Sequence, residues 1–204
     1  MEPWNRRIID EKYHYLGNVT SDIAHFFPTI SKYSRECDSV LELGVRWVVG
    51  TWAFLYGLRE ENKDYHIPKT YLGVDLHPLE NWDANVENQL IEGSKQRNID
   101  FSFQIADVLS PEFYNSIPNF DLVFLDTDHN YDQVKQELEI YHQKCNKYIM
   151  LHDTIAFRHG GVWENDEKGI WPAIMEFINT HPEWEMWETT PEHPGLTILK
   201  KIKS

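Results

Sequence analysis

Cysteine is nearly absent. Cys37 and Cys145 are the only two in 204 residues, which provides neither a disulfide framework nor a zinc-ligand spacing. A reducing, cytoplasmic compartment is therefore expected. No apolar run approaches the roughly 20 residues that a bilayer-crossing helix needs, and Met1-Glu2-Pro3-Trp4-Asn5-Arg6 does not open like a signal peptide. Without a secretion signal, the glycosylation pattern Asn18-Val19-Thr20 reads as chance. Positive charge is scarce too: 19 Lys and Arg stand against 33 Asp and Glu, a formal net charge of -14. No basic run precedes the tail Lys200-Lys201-Ile202-Lys203. Such a balance repels phosphate backbones and disfavours a broad nucleic-acid-binding surface. Internal repeats and low-complexity tracts are also missing.

What is present suits a folded domain. Hydrophobic residues make up 41% of the chain, enough for a core. Short apolar runs alternate with longer helix-like stretches, the pattern of an α/β fold around a parallel sheet. Strands are expected at 39–43, 71–75, 101–105, 122–125 and 148–151, and helices at 51–62, 81–96 and 131–144. In the last helix Val134, Leu138 and Tyr141 recur at helical spacing. An earlier helix over 22–33 is expected to kink near Pro28. Segments 184–190 and 196–202 flank the turn-rich Pro191-Glu192-His193-Pro194-Gly195 and read as an antiparallel hairpin. Residues 1–21, with Trp4, Tyr13, His14 and Tyr15, are expected to form a lid-like segment before a single domain at 22–204. The loop 155–168, with Phe157, Arg158, His159 and Trp163, is a second lid candidate. The tryptophans at 47, 52, 163, 171, 184 and 187 are expected mostly as core or packing residues.

Ligands of open α/β sheets bind outside the carboxyl ends of the strands. At nearly every such end this sequence places a polar group. The first strand runs through Glu42 to Gly44, Val45 and Arg46, and a helix begins near Gly50 and Thr51. Gly44 allows close approach to the backbone, and a helix N-terminus offers N–H donors to a carboxylate. The second strand ends at Asp75, with His77 just beyond, and suits hydrogen bonding to a ribose diol. The third leads to Asp107, the fourth ends at Asp126, and the fifth ends at His152 and Asp153. Asp commonly caps helices that follow strands, so each acid also has a purely structural reading. Their ordered recurrence is the specific signal.

Glu42-Leu43-Gly44, Asp75, Asp107 and Phe120-Asp121-Leu122-Val123-Phe124-Leu125-Asp126 resemble the successive motifs of class I S-adenosylmethionine-dependent methyltransferases. The resemblance spans residues 22–202. It implies a Rossmann-like α/β fold: a seven-stranded, mostly parallel sheet with a C-terminal antiparallel hairpin and helices on both faces. It also implies that Glu42, Gly44, Arg46, Gly50, Thr51, Asp75, His77, Asp107 and Asp126 line the cofactor. The turn takes the methionine part, Asp75 the ribose, and Asp107 the neighbourhood of the adenine. Unlike several relatives, this chain has no glycine between Gly44 and Gly50.

Asp126-Thr127-Asp128-His129-Asn130-Tyr131, with His152-Asp153-Thr154 downstream, is similar to the metal-dependent O-methyltransferase branch acting on macrolide sugars, rhamnose or catechols. That likeness implies Asp126 and Asp153 as ligands of Mg²⁺ or Mn²⁺ and His129 as general base. The third ligand is left between His152, Thr154 and water. A cation and a base together lower the proton affinity of a hydroxyl, Mg²⁺ favours oxygen donors, and histidine titrates near pH 6.5. Where phenol-modifying relatives carry lysine this chain has His129, which tilts the expectation towards a sugar. Blander readings stand beside these: His129 as a helix cap near Asn130, His152 as a packing residue, and His142 as a surface or interface residue.

The expected activity is thus methyl transfer from S-adenosylmethionine to a hydroxyl of a small-molecule or glycan acceptor, rhamnose-like in the sugar reading. Neither nucleic acid nor a membrane span is expected as partner. A homodimer, or a larger polypeptide carrying glycosyltransferase domains, is compatible with the chain. The alternatives are a phenol or catechol O-methyltransferase, a nicotinamide-dependent oxidoreductase, and a non-catalytic cofactor-binding module. The oxidoreductase is disfavoured because no Gly-x-Gly-x-x-Gly follows the first strand.

Overall fold

A computed structural model describes residues 7–19, 21–58, 68–79, 84–160 and 168–202. Two compact units divide the chain, Met1–Ala106 and Asp107–Ser204.

The first unit opens with α1 (Arg7–Leu16), a short 3-10 turn (Ala24–Phe26) and α2 (Phe27–Arg35). It continues through β1 (Ser39–Leu43), α3 (Val49–Leu58), β2 (Lys69–Asp75), α4 (Val86–Gln96) and β3 (Ile99–Ile105). Its strands are all parallel, in the order β3-β2-β1. Instead of kinking a longer helix, Pro28 lies in the first turn of α2, where its missing N–H has no intrahelical partner to lose. The second expected helix ends at Leu58, and residues 59–62 lie outside the described set. The core is built from Ile30, Val40, Leu41, Leu43, Phe54, Leu55, Tyr71, Val74 and Leu90, all essentially without exposed surface.

Within the segment expected as a lid, α1 packs on α3 and α4. Tyr13 stacks on Tyr56 with ring centres 3.8 Å apart, and Asp10 pairs with Arg97. Trp4 lies outside the described residues.

The second unit contains α5 (Pro111–Ser116), β4 (Phe120–Leu125), α6 (Tyr131–Tyr141), β5 (Cys145–His152), α7 (Trp171–Thr180), β6 (Trp184–Thr189) and β7 (Leu196–Lys201). Strand order is β4-β5-β7-β6, parallel between β4 and β5 and antiparallel across the terminal hairpin. The fold is therefore the expected α/β arrangement, with seven strands among the described residues. Helices α5 and α7 escape the sequence reading: α5 has six residues, too few to show a period, and both open on a proline in the first turn. Leu122, Val123, Phe124, Ile149, Met150, Ile198 and Leu199 form the buried centre.

Two tryptophans depart from expectation. Trp52 and Trp184 are buried, whereas Trp47 is 62% and Trp187 is 50% exposed. Lys200 lies over the Trp187 ring and Arg46 over Trp47, so each basic side chain shields part of an apolar face. Both cysteines are buried thiols, and burial pushes Cys145 up to about 12. No helix among the described residues is long and apolar enough to cross a membrane.

Candidate active site

In the first unit, the turn after β1 is shaped from below by Glu42. The residue is 1% exposed, and its carboxylate accepts hydrogen bonds from Thr51 Oγ1 at 2.8 Å and from the Tyr71 hydroxyl. Burial, then the Glu42 charge, raises the Tyr71 phenol well above its ordinary range, so Tyr71 stays a donor. Gly50 is buried, and a Cβ there would sit 3.1 Å from Glu42 Oε1. Glu42, Gly50 and Thr51 thus form one buried network anchoring the start of α3, and Tyr71 is a member that the sequence reading missed. It opened an expected strand and carried no motif to mark it.

Above that network the backbone turns sharply. Gly44 has φ +86°, and the non-glycine residues Arg46 and Val48 have φ +40° and +64°. Only glycine adopts such a conformation without steric cost, so the Arg46 and Val48 positions are held by their surroundings. The holding group is Asp75. Its Oδ2 accepts from the backbone N–H of Val45 at 3.0 Å and of Arg46 at 2.8 Å, while Oδ1 accepts from the N–H of His77 at 3.0 Å. A carboxylate offers about four lone-pair sites, and three are in use.

In the second unit, Asp107 is exposed and its Oδ1 accepts from the Leu109 N–H at 2.9 Å, steadying the turn into α5. The densest chemistry lies where β4 and β5 end. His129 Nε2 stands 3.1 Å from Asp126 Oδ1 and 3.0 Å from Asp153 Oδ2. His152 Nδ1 approaches the same two oxygens at 3.2 and 3.5 Å. Ligand atoms of Asp126, His152 and Asp153 all fall within 4.8 Å of one another. Asp153 itself has φ +59°, a left-handed conformation that Asp tolerates better than most residues.

Two histidines compensate two carboxylates here. Burial alone would raise the Asp126 carboxyl, but the charges and hydrogen bonds of His152 and His129 outweigh it and hold Asp126 well below the ordinary range. Burial opposes charge on both rings. For His129 the Asp126 hydrogen bond and the two carboxylate charges prevail and raise its pKa above 6.5. His152, with a side chain only 2% exposed, is pushed up to about 10 by Asp126 and Asp153, so at neutral pH it donates to the carboxylates.

The helix after this cluster is capped by Asn130, whose side chain accepts from the Gln133 N–H at 2.9 Å. His129 is thereby released from the capping role. Phe157, four residues past Asp153, stacks on the His129 ring at 4.9 Å and 15°. It was visible in the sequence only as one aromatic in a loop, of which residues 161–167 lie outside the described set. The hairpin braces the Asp153 turn. Thr154 N–H donates to the Gly195 carbonyl, Ile155 and Ala156 N–H donate to that of Pro194, and Thr197 Oγ1 donates to Thr154 Oγ1 at 3.0 Å. Thr154 is fully buried by these contacts.

Two carboxylate oxygens converging on one imidazole nitrogen form a donor set that a hard divalent ion also satisfies. The residues present fit such an ion.

A family model described as a methyltransferase domain matches residues 41–154. No curated protein matches the chain. Solved structures share its fold. A putative O-methyltransferase from Klebsiella pneumoniae is 17% identical, with 98% of this chain and 90% of that one covered and a TM-score of 0.61. An O-methyltransferase from Bacillus cereus in complex with SAH is 14% identical, with coverage of 95% and 90% and a TM-score of 0.62. The O-methyltransferase TomG from Streptomyces achromogenes, involved in tomaymycin synthesis and in complex with SAM, is 11% identical, with coverage of 100% and 92% and a TM-score of 0.60.

Proposed function

The chain belongs to the methyltransferase-domain family, and on that premise we propose that it moves a methyl group from S-adenosylmethionine to a hydroxyl oxygen, assisted by a divalent cation, on a sugar-like acceptor. S-adenosylmethionine as cofactor is supported by the SAM and SAH complexes of the structural neighbours. The observation that carries the metal-assisted reading is the approach of Asp126 Oδ1 and Asp153 Oδ2 to the same His129 nitrogen.

In the reaction a carbon–sulfur bond of the sulfonium breaks, an oxygen–carbon bond forms, and the hydroxyl proton leaves to a base. The divalent cation supplies a Lewis acid that lowers the proton affinity of the hydroxyl. Asp126 and Asp153 would hold it, and His152 keeps both carboxylates in place by donating from Nδ1. His129 Nε2 is the proton acceptor, and Phe157 fixes the plane of its ring. In the first unit Asp75 would use its fourth lone pair for a ribose hydroxyl, while the turn at Gly44 and Arg46 takes the methionine end. Asp107, with one carboxylate oxygen left for solvent, is assigned to the adenine end.

A sugar acceptor is supported by His129 standing where the phenol-modifying relatives carry lysine, a likeness of sequence rather than of base strength. The experiment is a methyl-transfer screen over sugars and catechols in Mg²⁺ or Mn²⁺, read by mass spectrometry, with Asp126→Ala and Asp153→Ala alongside. Turnover of a sugar, lost in both variants while S-adenosylmethionine still binds, is the expected result. Turnover confined to catechols would replace the acceptor, and full activity in either variant would remove the metal.

A further inference from the structure

We propose that Glu139, His142 and His181 form a second metal site, selective for a divalent transition metal such as Zn²⁺ and separate from the Asp126 cluster. Glu139 lies in the last turn of α6, His142 is the residue that ends α6, and His181 is the residue that ends α7. His129 precedes the first turn of the same α6, so its full length of about 16 Å separates the two clusters. None of the three residues takes part in the Asp126 cluster.

One ligand atom from each of the three falls within 4.8 Å of the others. His181 Nε2 is 3.7 Å from Glu139 Oε2, and the two imidazole rings meet edge to face with centres 4.4 Å apart. Tetrahedral zinc bonds of about 2.0–2.1 Å place ligand atoms about 3.4 Å apart. The Glu139 carboxylate, whose side chain is 50% exposed, has the freedom to close the remaining gap.

The tautomer of His181 is the second, independent observation. Its Nδ1 lies 3.0 Å from the Phe177 carbonyl oxygen and 3.0 Å from Thr180 Oγ1. A carbonyl can only accept, so in the neutral ring Nδ1 carries the hydrogen and the Nε2 lone pair faces Glu139. A backbone carbonyl on one ring nitrogen is the usual way proteins aim the other at a metal. The His142 ring is fixed in turn against Phe177, and Glu183 Oε1 adds a second carboxylate 3.9 Å from its Nδ1.

Two further facts set the kind of ion. Both histidines end helices, where the carbonyl-rich C-terminus favours positive charge. Two imidazoles with one carboxylate suit zinc, copper or nickel, whereas magnesium and calcium take oxygen. Bound there, the ion would join the C-terminal ends of α6 and α7.

The test uses the full chain, stripped by chelation and carrying Asp126→Asn and Asp153→Asn to silence the other cluster. Zn²⁺ uptake is read by equilibrium dialysis and elemental analysis, and Co²⁺ binding by visible absorption. One zinc per chain at micromolar concentration, with a tetrahedral cobalt spectrum, is expected. Adding His142→Gln and His181→Gln together should abolish both signals. Glu139→Gln, at a half-exposed carboxylate that leaves folding intact, should weaken binding about tenfold or more. No zinc uptake, or uptake unchanged by all three substitutions, would show the cluster to be ordinary surface ion pairs and overturn the site. In the otherwise unaltered chain, His142→Gln with His181→Gln should leave methyl transfer intact.

Discussion

Two carboxylates and one ring-stacking partner define where the His129 Nε2 points, and its proposed role as proton acceptor rests on that placement. The Asp126 and Asp153 charges raise its pKa above 6.5 against the effect of burial. The basic form of the ring is therefore suppressed at low pH and recovers as pH rises through that raised value. In the metal-free chain, NMR titration of the His129 ring should give a pKa above 6.5, and Asp126→Asn should bring it down. A divalent cation placed among the same oxygens repels the proton, so saturating Mg²⁺ should lower the pKa as well. A titration unmoved by Asp126→Asn would break the link between these groups. In the proposed role of base, His129 would contribute about a hundredfold to ten-thousandfold in rate. His129→Ala should lower kcat by that factor with S-adenosylmethionine affinity unchanged, as measured by steady-state kinetics and calorimetry.

At the scale of elements, the second unit shows how the site is supported from a distance. Gly195 has φ +99°, and a Cβ there would lie 2.5 Å from the Ile155 backbone nitrogen. Gly195→Ala must therefore displace the loop that holds Thr154 and, through it, Asp153. A cost of about 1–3 kcal/mol corresponds to a Tm lower by roughly 3–10 °C in a chain of this size, measurable by calorimetry. Helix α6 carries a second consequence. Glu137 is fully buried with hydrogen bonds from Thr127 and Gln133, and burial pushes its carboxyl from 4.5 up to about 7. The native state thus binds a proton that the unfolded state has already lost, and stability falls as pH rises between these values. At about 1.4 kcal/mol per pH unit this is about 3 kcal/mol at most. Glu137→Gln should flatten Tm against pH between about 4.5 and about 7, and an unchanged slope would refute the assignment.

Much of this scale was legible in the sequence. The strands announce themselves as apolar runs ending in an acid, but the sequence offers the cap of α6 to His129, whereas Asn130 holds it. Short α5 shows no period. Phe157 and Tyr71 could not be read either, since each matters through a partner far along the chain. His152 is legible as a candidate ligand, but its contact with Asp126, which joins two strand ends 26 positions apart, is not. The exposed Trp47 and Trp187 show the limit of composition, because a neighbouring Arg or Lys can cover an apolar face as a core does.

For the whole molecule, the acidic balance of -14 resolves into acids with distinct tasks. Glu42 is buried as a structural acceptor, Asp75 holds a strained turn, and Asp126 and Asp153 converge on one point beside His129. The family match over residues 41–154 takes in all four, and with it the nicotinamide reading falls away. The central claim is that a metal occupies this point during turnover. It is tested most directly by methyl transfer to the preferred acceptor after EDTA treatment, followed by stepwise return of Mg²⁺ or Mn²⁺. Activity should vanish in EDTA and return saturably with the cation in the natural sequence, but not in Asp153→Ala. Full turnover in EDTA would contradict it.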